Sequence, residues 1–72
     1  MPRAVTIREI ERIFAVTDPL GIHREAVVIP LAMRSPGGVR RLPGGRIEIV
    51  VDAEADFEQW VAGLPARIAS VG

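Results

Sequence analysis

Two copies of one five-residue pattern limit what this chain can fold into. The segment Arg34–Gly38 (RSPGG) is followed closely by Arg41–Gly45 (RLPGG). Proline fixes φ and glycine accepts a positive φ, so a Pro-Gly pair suits the two central positions of a type II turn. Two such turns leave only a very short extended piece, Val39–Leu42, between them. The middle of the chain is therefore predicted to form short strands joined by tight turns.

The segments on both sides of this repeat have the composition of β-strands. Ala26–Arg34 is rich in β-branched residues, and Pro30 within it predicts an edge strand or a bulge because proline donates no backbone hydrogen bond. Arg46–Val51 alternates between two faces, with its isoleucines on the same one. We predict a three-stranded antiparallel meander with a short middle strand. A single wide hairpin with a long glycine-rich loop is the alternative.

The N-terminal part of the chain has the pattern of a short amphipathic helix. Thr6 followed by Glu9 fits a capping box, in which each side chain satisfies a free backbone N–H group at the start of a helix. Apolar residues at helical spacing then predict a helix from about Ile7 to Val16. The Asp-Pro-Leu-Gly sequence after Thr17 ends it, because proline does not continue a helix and glycine favours a turn.

The C-terminal part has the pattern of a second helix. Asp52 is the predicted cap, and apolar residues keep helical spacing as far as Val71. Pro65 has no N–H group for the carbonyl of Val61, so this helix is predicted to be kinked near Pro65, with a clean stop as the alternative. The chain, residues 1–72, is therefore predicted to be a single small α+β domain: a helix, a small antiparallel sheet of two or three strands, and a kinked C-terminal helix.

Both helices are predicted to pack on one face of the sheet. The predicted core consists of Ile7, Ile10, Phe14, Phe57, Trp60, Val61, Leu64 and Ile68 from the helices, with Val27, Ile29, Leu31, Ile47, Ile49 and Val51 from the strands. The alternative is that one helix covers each face, which would bury both sides of the sheet within one chain.

The opposite face of the sheet is predicted to bind a partner. It would carry Val28, Pro30, Ala32 and Val50, with few charges among them. A sheet face exposed to water normally carries polar residues at alternate positions, and this face does not. Small domains often gain stability by pairing, and two-fold dimers are the commonest oligomers. We therefore expect a second copy of the chain, or else a different protein, to cover this face.

Charge is segregated along the chain, although nine basic and nine acidic residues give a formal net charge of zero. Between Ala26 and Ile47 every charged residue is an arginine, and from Glu48 to Trp60 every charged residue is an acid. A neutral chain is not expected to coat nucleic acid or bind a membrane surface. The arginines of the first block are still candidates for an anion or nucleic-acid site, which is the less favoured partner: Arg34, Arg40, Arg41 and Arg46.

Catalytic, cofactor and metal sites are not predicted. The chain has no cysteine, and His23 is its only histidine. Asp52, Glu54 and Asp56 resemble the opening of a calcium-binding loop, but the glycine and the glutamate that such a loop needs are missing. We therefore expect no enzyme activity, no metal and no cofactor. No apolar run approaches the roughly 20 residues of a membrane span, and no signal peptide is recognisable, so we expect a cytoplasmic protein.

Two functional hypotheses follow from these observations. The first is a small cytoplasmic interaction or regulatory module that acts by protein–protein contact, as a homodimer through an apolar sheet face or an edge strand. The second is an anion or nucleic-acid binding module that uses the arginine- and glycine-rich turns. Salt separates them, because phosphate binding weakens steeply with salt through counterion release, whereas an apolar contact does not.

Overall fold

The computed structural model describes residues 4–71 and confirms the predicted α+β class. Three helices and a three-stranded sheet account for most of these residues. Single turns of 3-10 helix at Arg24–Ala26 and Pro43–Gly45 precede the first and the last strand. The helices and strands, in chain order, are α1 (Ile7–Thr17), β1 (Val27–Val28), β2 (Gly38–Leu42), β3 (Arg46–Val50), α2 (Phe57–Ala62) and α3 (Leu64–Val71).

The sheet is mixed, so the predicted antiparallel meander is wrong in its strand order. The order is β1-β3-β2, with β1 parallel and β2 antiparallel to the central strand β3. Only the Pro43–Gly45 connection is short enough to form a tight hairpin, and it joins β2 to β3. The longer connection, residues 29–37, carries the chain past the end of β3, so β3 lies between the two earlier strands.

Pro30 lies where the pairing of β1 with β3 is interrupted, as its missing N–H group predicts. Pairing of Val28 with Glu48 is followed by a bridge between Arg34 and Asp52. Between these two pairings, the segment after β1 therefore has five residues, whereas β3 and the residue after it have three. The outer edge beside this bulge is covered by the chain itself, because the backbone N–H of Val5 donates to the carbonyl of Leu31 at 2.8 Å. Few backbone groups near Pro30 are thus left for an added strand.

Both predicted helical regions begin at a side-chain cap. Thr6 Oγ1 accepts from the backbone N–H of Glu9 at 3.2 Å, and Glu9 Oε1 accepts from that of Thr6 at 3.0 Å, which confirms the capping box. The cap of the C-terminal region is Asp56, not Asp52, since Asp56 Oδ2 accepts from Gln59 N at 3.1 Å. Gly63 separates α2 from α3, so the interruption predicted near Pro65 falls two residues earlier.

The helices pack on one face of the sheet, as predicted. The buried cluster consists of Val5, Ile13, Ile49, Val51, Trp60, Val61 and Leu64. Partly buried residues extend it along the sheet, among them Val27, Val39 and Ile47. Two predicted core residues are exposed instead: Ile7 is 76% exposed and Leu31 is 58% exposed.

The error at Ile7 comes from the rotation of α1 about its own axis. The buried residues of this helix are Glu9, Ile13 and Thr17, which follow one another at a spacing of four residues. Ile7 faces away from that stripe, whereas a stripe centred on the isoleucines would have included it. Leu31 lies in the bulge after β1, where the alternation of a regular strand does not apply.

Candidate functional site

Within residues 4–71, no helix packs on the face of the sheet turned away from α1, α2 and α3. Residues paired directly across a ladder share a face, and neighbours along a strand alternate. Val39, Ile47 and Ile49 belong to the helix-covered side. The residues that alternate with them along β2 and β3 therefore lie on the other side. We call that side the open sheet face; its residues are Val28, Gly38, Arg40, Leu42, Arg46, Glu48 and Val50. None of these belongs to the buried cluster formed by residues 4–71.

The four residues predicted to contact a partner are only partly brought together. Val28 and Val50 lie on the open sheet face, and both are half-buried. Pro30 and Ala32 lie in the bulge after β1, and Ala32 forms an isolated bridge with Ala4. The apolar part of the open sheet face is therefore made by β2 and β3 more than by β1.

Sequence reasoning missed Leu42 as a part of this apolar surface. Leu42 pairs with Arg46, directly beside the hairpin connection, and is half-buried. A connection of three residues, Pro43–Gly45, fixes the register of the hairpin, and that register places Leu42 on the same face as Val50. The signal was therefore present in the chain, but it needed the hairpin to be assigned to β2 and β3 alone.

A groove of about 320 Å³ lies on the open sheet face at the beginning of β2. Arg40 is one of its lining residues, and Arg40 Nε donates to Glu48 Oε1 at 2.7 Å. The Glu48 side chain is 18% exposed and that of Arg40 is 70% exposed, so the pair reaches from the sheet into solvent. The residues that line the groove are Arg34, Pro36, Gly37, Gly38, Val39, Arg40, Glu48 and Val50.

The four arginines proposed as an anion site do not converge. Arg40 and Arg46 lie on the open sheet face, whereas Arg41 pairs with Ile47 on the helix-covered side. The backbone of Arg34 forms an isolated β-bridge with that of Asp52, and Arg34 lines the groove together with Arg40. Within residues 4–71, Arg34, Arg41 and Arg46 form no salt bridge, while Arg40 is paired with Glu48. These guanidinium groups therefore face at least two different surfaces.

Asp52 stabilises the segment around Gly37, where the chain crosses the end of β3. Its Oδ1 accepts from the backbone N–H groups of Glu54 at 2.8 Å and Ala55 at 3.1 Å, and its Oδ2 accepts from that of Gly37 at 3.1 Å. These donors, with that of Glu54 the strongest, hold the pKa of the Asp52 carboxyl below its ordinary value. Asp52 therefore has a structural role, and its carboxylate is already occupied.

The two ends of β3 carry opposite charge. Arg46 begins the strand beside the hairpin connection, and Arg41 lies on the neighbouring strand. The segment that follows the other end carries Glu54 and Asp56, which are both exposed. Arg34 also lies at this second end, because its backbone is bridged to Asp52, so the segregation found in the sequence is only partly a separation in space.

The described residues hold no metal centre and no membrane span. Among residues 4–71, no three His, Asp or Glu side chains are grouped so that they could hold a metal ion. His23 is exposed and lies just before the Arg24–Ala26 turn. None of the helices in this part of the chain has the length and apolar character needed to cross a bilayer.

Comparisons with known proteins leave the geometry as the basis for function. No protein-family model, curated protein or solved structure matches this chain. The open sheet face, its groove and the charges at its two ends are therefore the features from which a function is inferred.

Proposed function

We propose that this chain is a small protein–protein interaction module that works as a homodimer, with two copies packed through the open sheet face. The observation that carries the proposal is the position of the helices, which all pack on the other side of the sheet. Val28, Leu42 and Val50 are aliphatic residues at strand positions where a solvent-facing sheet normally carries polar ones. Complete burial of an exposed side chain of this kind contributes about 1.5 to 3 kcal/mol, and these three are already half-buried, so each contributes roughly half of that in the contact. The face carries more charge than the sequence predicted, because three charged residues also lie on it: Arg40, Arg46 and Glu48.

Charge favours one arrangement of the two copies. If the paired sheets ran in the same direction, Arg46 of one copy would lie near Arg46 of the other. With antiparallel sheets, Arg46 of each copy faces the segment of the other that carries Glu54 and Asp56. A two-fold axis perpendicular to the strands produces this arrangement and uses the same surface on both copies.

The Arg40–Glu48 pair is compatible with burial in such a contact. A lone charge taken out of water costs several kcal/mol, but this carboxylate already accepts a hydrogen bond at 2.7 Å. The same pair disfavours edge-to-edge pairing of β2, because an antiparallel pair of β2 strands centred at Arg40 sets like charges opposite each other. The open sheet face is therefore a better dimer surface than the β2 edge of the sheet.

Sedimentation velocity tests the dimer. We expect the mass of two chains at tens of micromolar, and we expect V50K to weaken association roughly 100-fold or more, because it buries a cation beside Arg34 and Arg40, which cannot pair with it. The matched control is I7K, at a residue that is 76% exposed on the helix layer, and it is expected to leave the dimer unchanged. A single-chain mass for the wild-type protein at high micromolar concentration would overturn the proposal.

Charge reversal tests the orientation without burying anything new. Arg46 and Glu54 are both exposed, and within residues 4–71 E54R removes only the hydrogen bond that the Glu54 carboxylate accepts from Ser35 Oγ, so R46E and E54R are expected to keep the fold. Each is expected to weaken the dimer roughly fivefold, and the double variant to recover the loss. Additive losses in the double variant would show that the sheets are not antiparallel in this sense.

A cytoplasmic location is part of the same proposal. Its support is compositional, since a chain without cysteine makes no use of an oxidising compartment.

Anion or nucleic-acid binding is the second candidate, and the groove is the observation that favours it. Arg34 and Arg40 line this groove together, and Arg34 has no salt bridge within residues 4–71. Binding to RNA, DNA and heparin is expected to fall steeply with salt and to be lost in R34E/R40E. The same weak background for wild type and R34E/R40E would exclude this function.

A further inference from the structure

A second cavity lies on the helix-covered side of the sheet, at its hairpin end. Its volume is about 420 Å³. The loop after α1 contributes Ile22, the hairpin contributes Arg41, Gly45 and Ile47, and α3 contributes Ile68 and Val71. The walls are thus four aliphatic side chains and one glycine, with one arginine. Small-molecule sites in proteins have this character, mostly apolar with a few polar groups that orient the ligand.

Arg41 is out of place in the alternation of β2. Its neighbour across the ladder is Ile47, and Val39 on the same side of β2 packs against the buried cluster. An apolar residue would continue this pattern to the end of the sheet. Within residues 4–71 the Arg41 guanidinium has no salt bridge and no hydrogen bond. Arg41 is exposed, so folding of these residues leaves a solvated cation beside an apolar cavity.

We propose that this cavity binds a small amphipathic carboxylate of the medium-chain fatty acid class. The hydrocarbon lies against Ile22, Ile47 and Ile68, and the carboxylate accepts two hydrogen bonds from Arg41. The planar guanidinium matches a carboxylate in this two-bond geometry, and such charge-assisted bonds are about twice as strong as neutral ones.

The lining selects against other anions. Arg41 is the only charged residue among the lining residues, so a phosphate ester or a nucleic acid would lack further cations for its charge. The aliphatic walls exclude water from a polar ligand without replacing its hydrogen bonds, which costs free energy. A ligand with a single carboxylate and a hydrocarbon body needs no further cation and places no polar groups against the aliphatic walls.

This site and the proposed dimer surface lie on opposite sides of the sheet. Arg41 and Ile47 face the helices, whereas Arg40 and Glu48 belong to the open sheet face. The two proposals therefore fail or succeed independently of each other.

Titration with octanoate tests the site. Binding is measured by isothermal titration calorimetry and by the NMR methyl signals of the isoleucines. We expect saturable binding below the micellar range, with shifts at Ile22, Ile47 and Ile68. Octanol lacks the charge, and butyrate lacks most of the hydrocarbon, so each is expected to bind at least roughly 10-fold more weakly.

The matched variants are R41Q and R46Q. Both remove one exposed, unpaired guanidinium from the same hairpin, but Arg46 lies on the open sheet face. R41Q is expected to weaken octanoate binding roughly 10-fold or more, and R46Q to leave it unchanged. Equal losses in both variants, equal binding of octanol, or no saturation by octanoate would each overturn the proposal.

Discussion

The two halves of the Arg-x-Pro-Gly-Gly repeat fold differently, although their sequences differ only at the second residue. The second copy, Arg41–Gly45, forms the tight connection between β2 and β3. The first copy, Arg34–Gly38, crosses the end of β3 and leads the chain from one side of that strand to the other. Local sequence is nearly the same in the two places, so the difference must come from what each copy contacts.

The hairpin copy needs glycine for its backbone conformation. Gly44 has φ 82° and ψ 17°, close to the values for the third residue of a type II turn. A Cβ atom built on Gly44 or on Gly45 would have no heavy atom within 4 Å. Space around this turn is therefore free, and the requirement is conformational alone.

The crossing copy needs glycine for space. Gly37 does not have a positive φ, so the predicted type II turn is wrong there. A Cβ atom at Gly37 would lie 2.5 Å from the backbone nitrogen of Asp52 and 2.5 Å from the carbonyl oxygen of Val50. The backbone at residue 37 therefore lies directly on the end of β3, and the Asp52 carboxylate accepts its N–H group.

This difference shows that a Pro-Gly pair permits a type II turn but does not by itself determine whether that turn forms. At the hairpin, neighbouring strands demand a sharp reversal and glycine provides the positive φ. At the crossing, Asp52 fixes the backbone in an ordinary conformation, and glycine provides only the absence of a side chain. The three predictions that follow test this distinction.

The largest effect is expected for G37A. The added methyl group meets backbone atoms that cannot turn away, so we expect a loss of about 3 kcal/mol in the free energy of unfolding. Urea denaturation followed by circular dichroism measures it. The matched control is G63A, where φ is −87° and the nearest atom to the new Cβ would be an ordinary contact at 3.7 Å, so the loss is expected to stay below about 1 kcal/mol. Equal losses for the two variants would contradict the close approach at Gly37.

An intermediate effect is expected for G44A. An L-residue at φ 82° is strained whatever space surrounds it, and the cost is about 1 kcal/mol. Chemical synthesis is practical for a chain of this length, and D-alanine at the same position is expected to restore the wild-type stability. If D-alanine is as destabilising as L-alanine, the requirement at Gly44 is one of space, and the contrast with Gly37 is lost.

The smallest effect at neutral pH is expected for D52N, because asparagine keeps one side-chain oxygen for the backbone donors. The pKa of Asp52 is lowered in the folded chain by these donors, from about 3.9 in an unfolded chain. The carboxylate therefore contributes stability above about pH 4 that is lost as the pH falls through the folded-state pKa.

Urea denaturation between neutral pH and about pH 2 measures this loss. D52N is expected to lose less stability on acidification than wild type. Asp18, whose pKa is lowered by its hydrogen bonds to Arg24, supplies a similar loss in both proteins. An identical pH dependence for the two proteins would contradict the role of the Asp52 carboxylate.

The sequence was sufficient where local rules decide the structure. The capping box at Thr6 and Glu9, the interruption at Pro30 and the positive φ at Gly44 all follow from single residues or short patterns. It was insufficient where distant segments meet. The parallel pairing of β1 with β3 and the bonds from Asp52 to the crossing both depend on contacts that no local pattern specifies.

The same division applies to the candidate site. Alternation correctly placed Val28 and Val50 on the face away from the helices. It could not place Pro30 and Ala32, because the bulge breaks the alternation after Val28. Alternation along the predicted strand Val39–Leu42 puts Arg40 and Arg41 on opposite sides of the sheet, but no local pattern shows that one lines the groove and the other the cavity.

The pairing of two copies through the open sheet face is tested most directly by isotope-filtered nuclear Overhauser spectroscopy. A mixture of labelled and unlabelled chains detects only contacts between different copies. We predict cross-peaks from the methyl groups of Val28, Leu42 and Val50 to the other copy, and none from Ile7. Absence of intermolecular cross-peaks from those three residues in a dimeric sample, or their appearance only at the helix layer, would contradict the proposed interface.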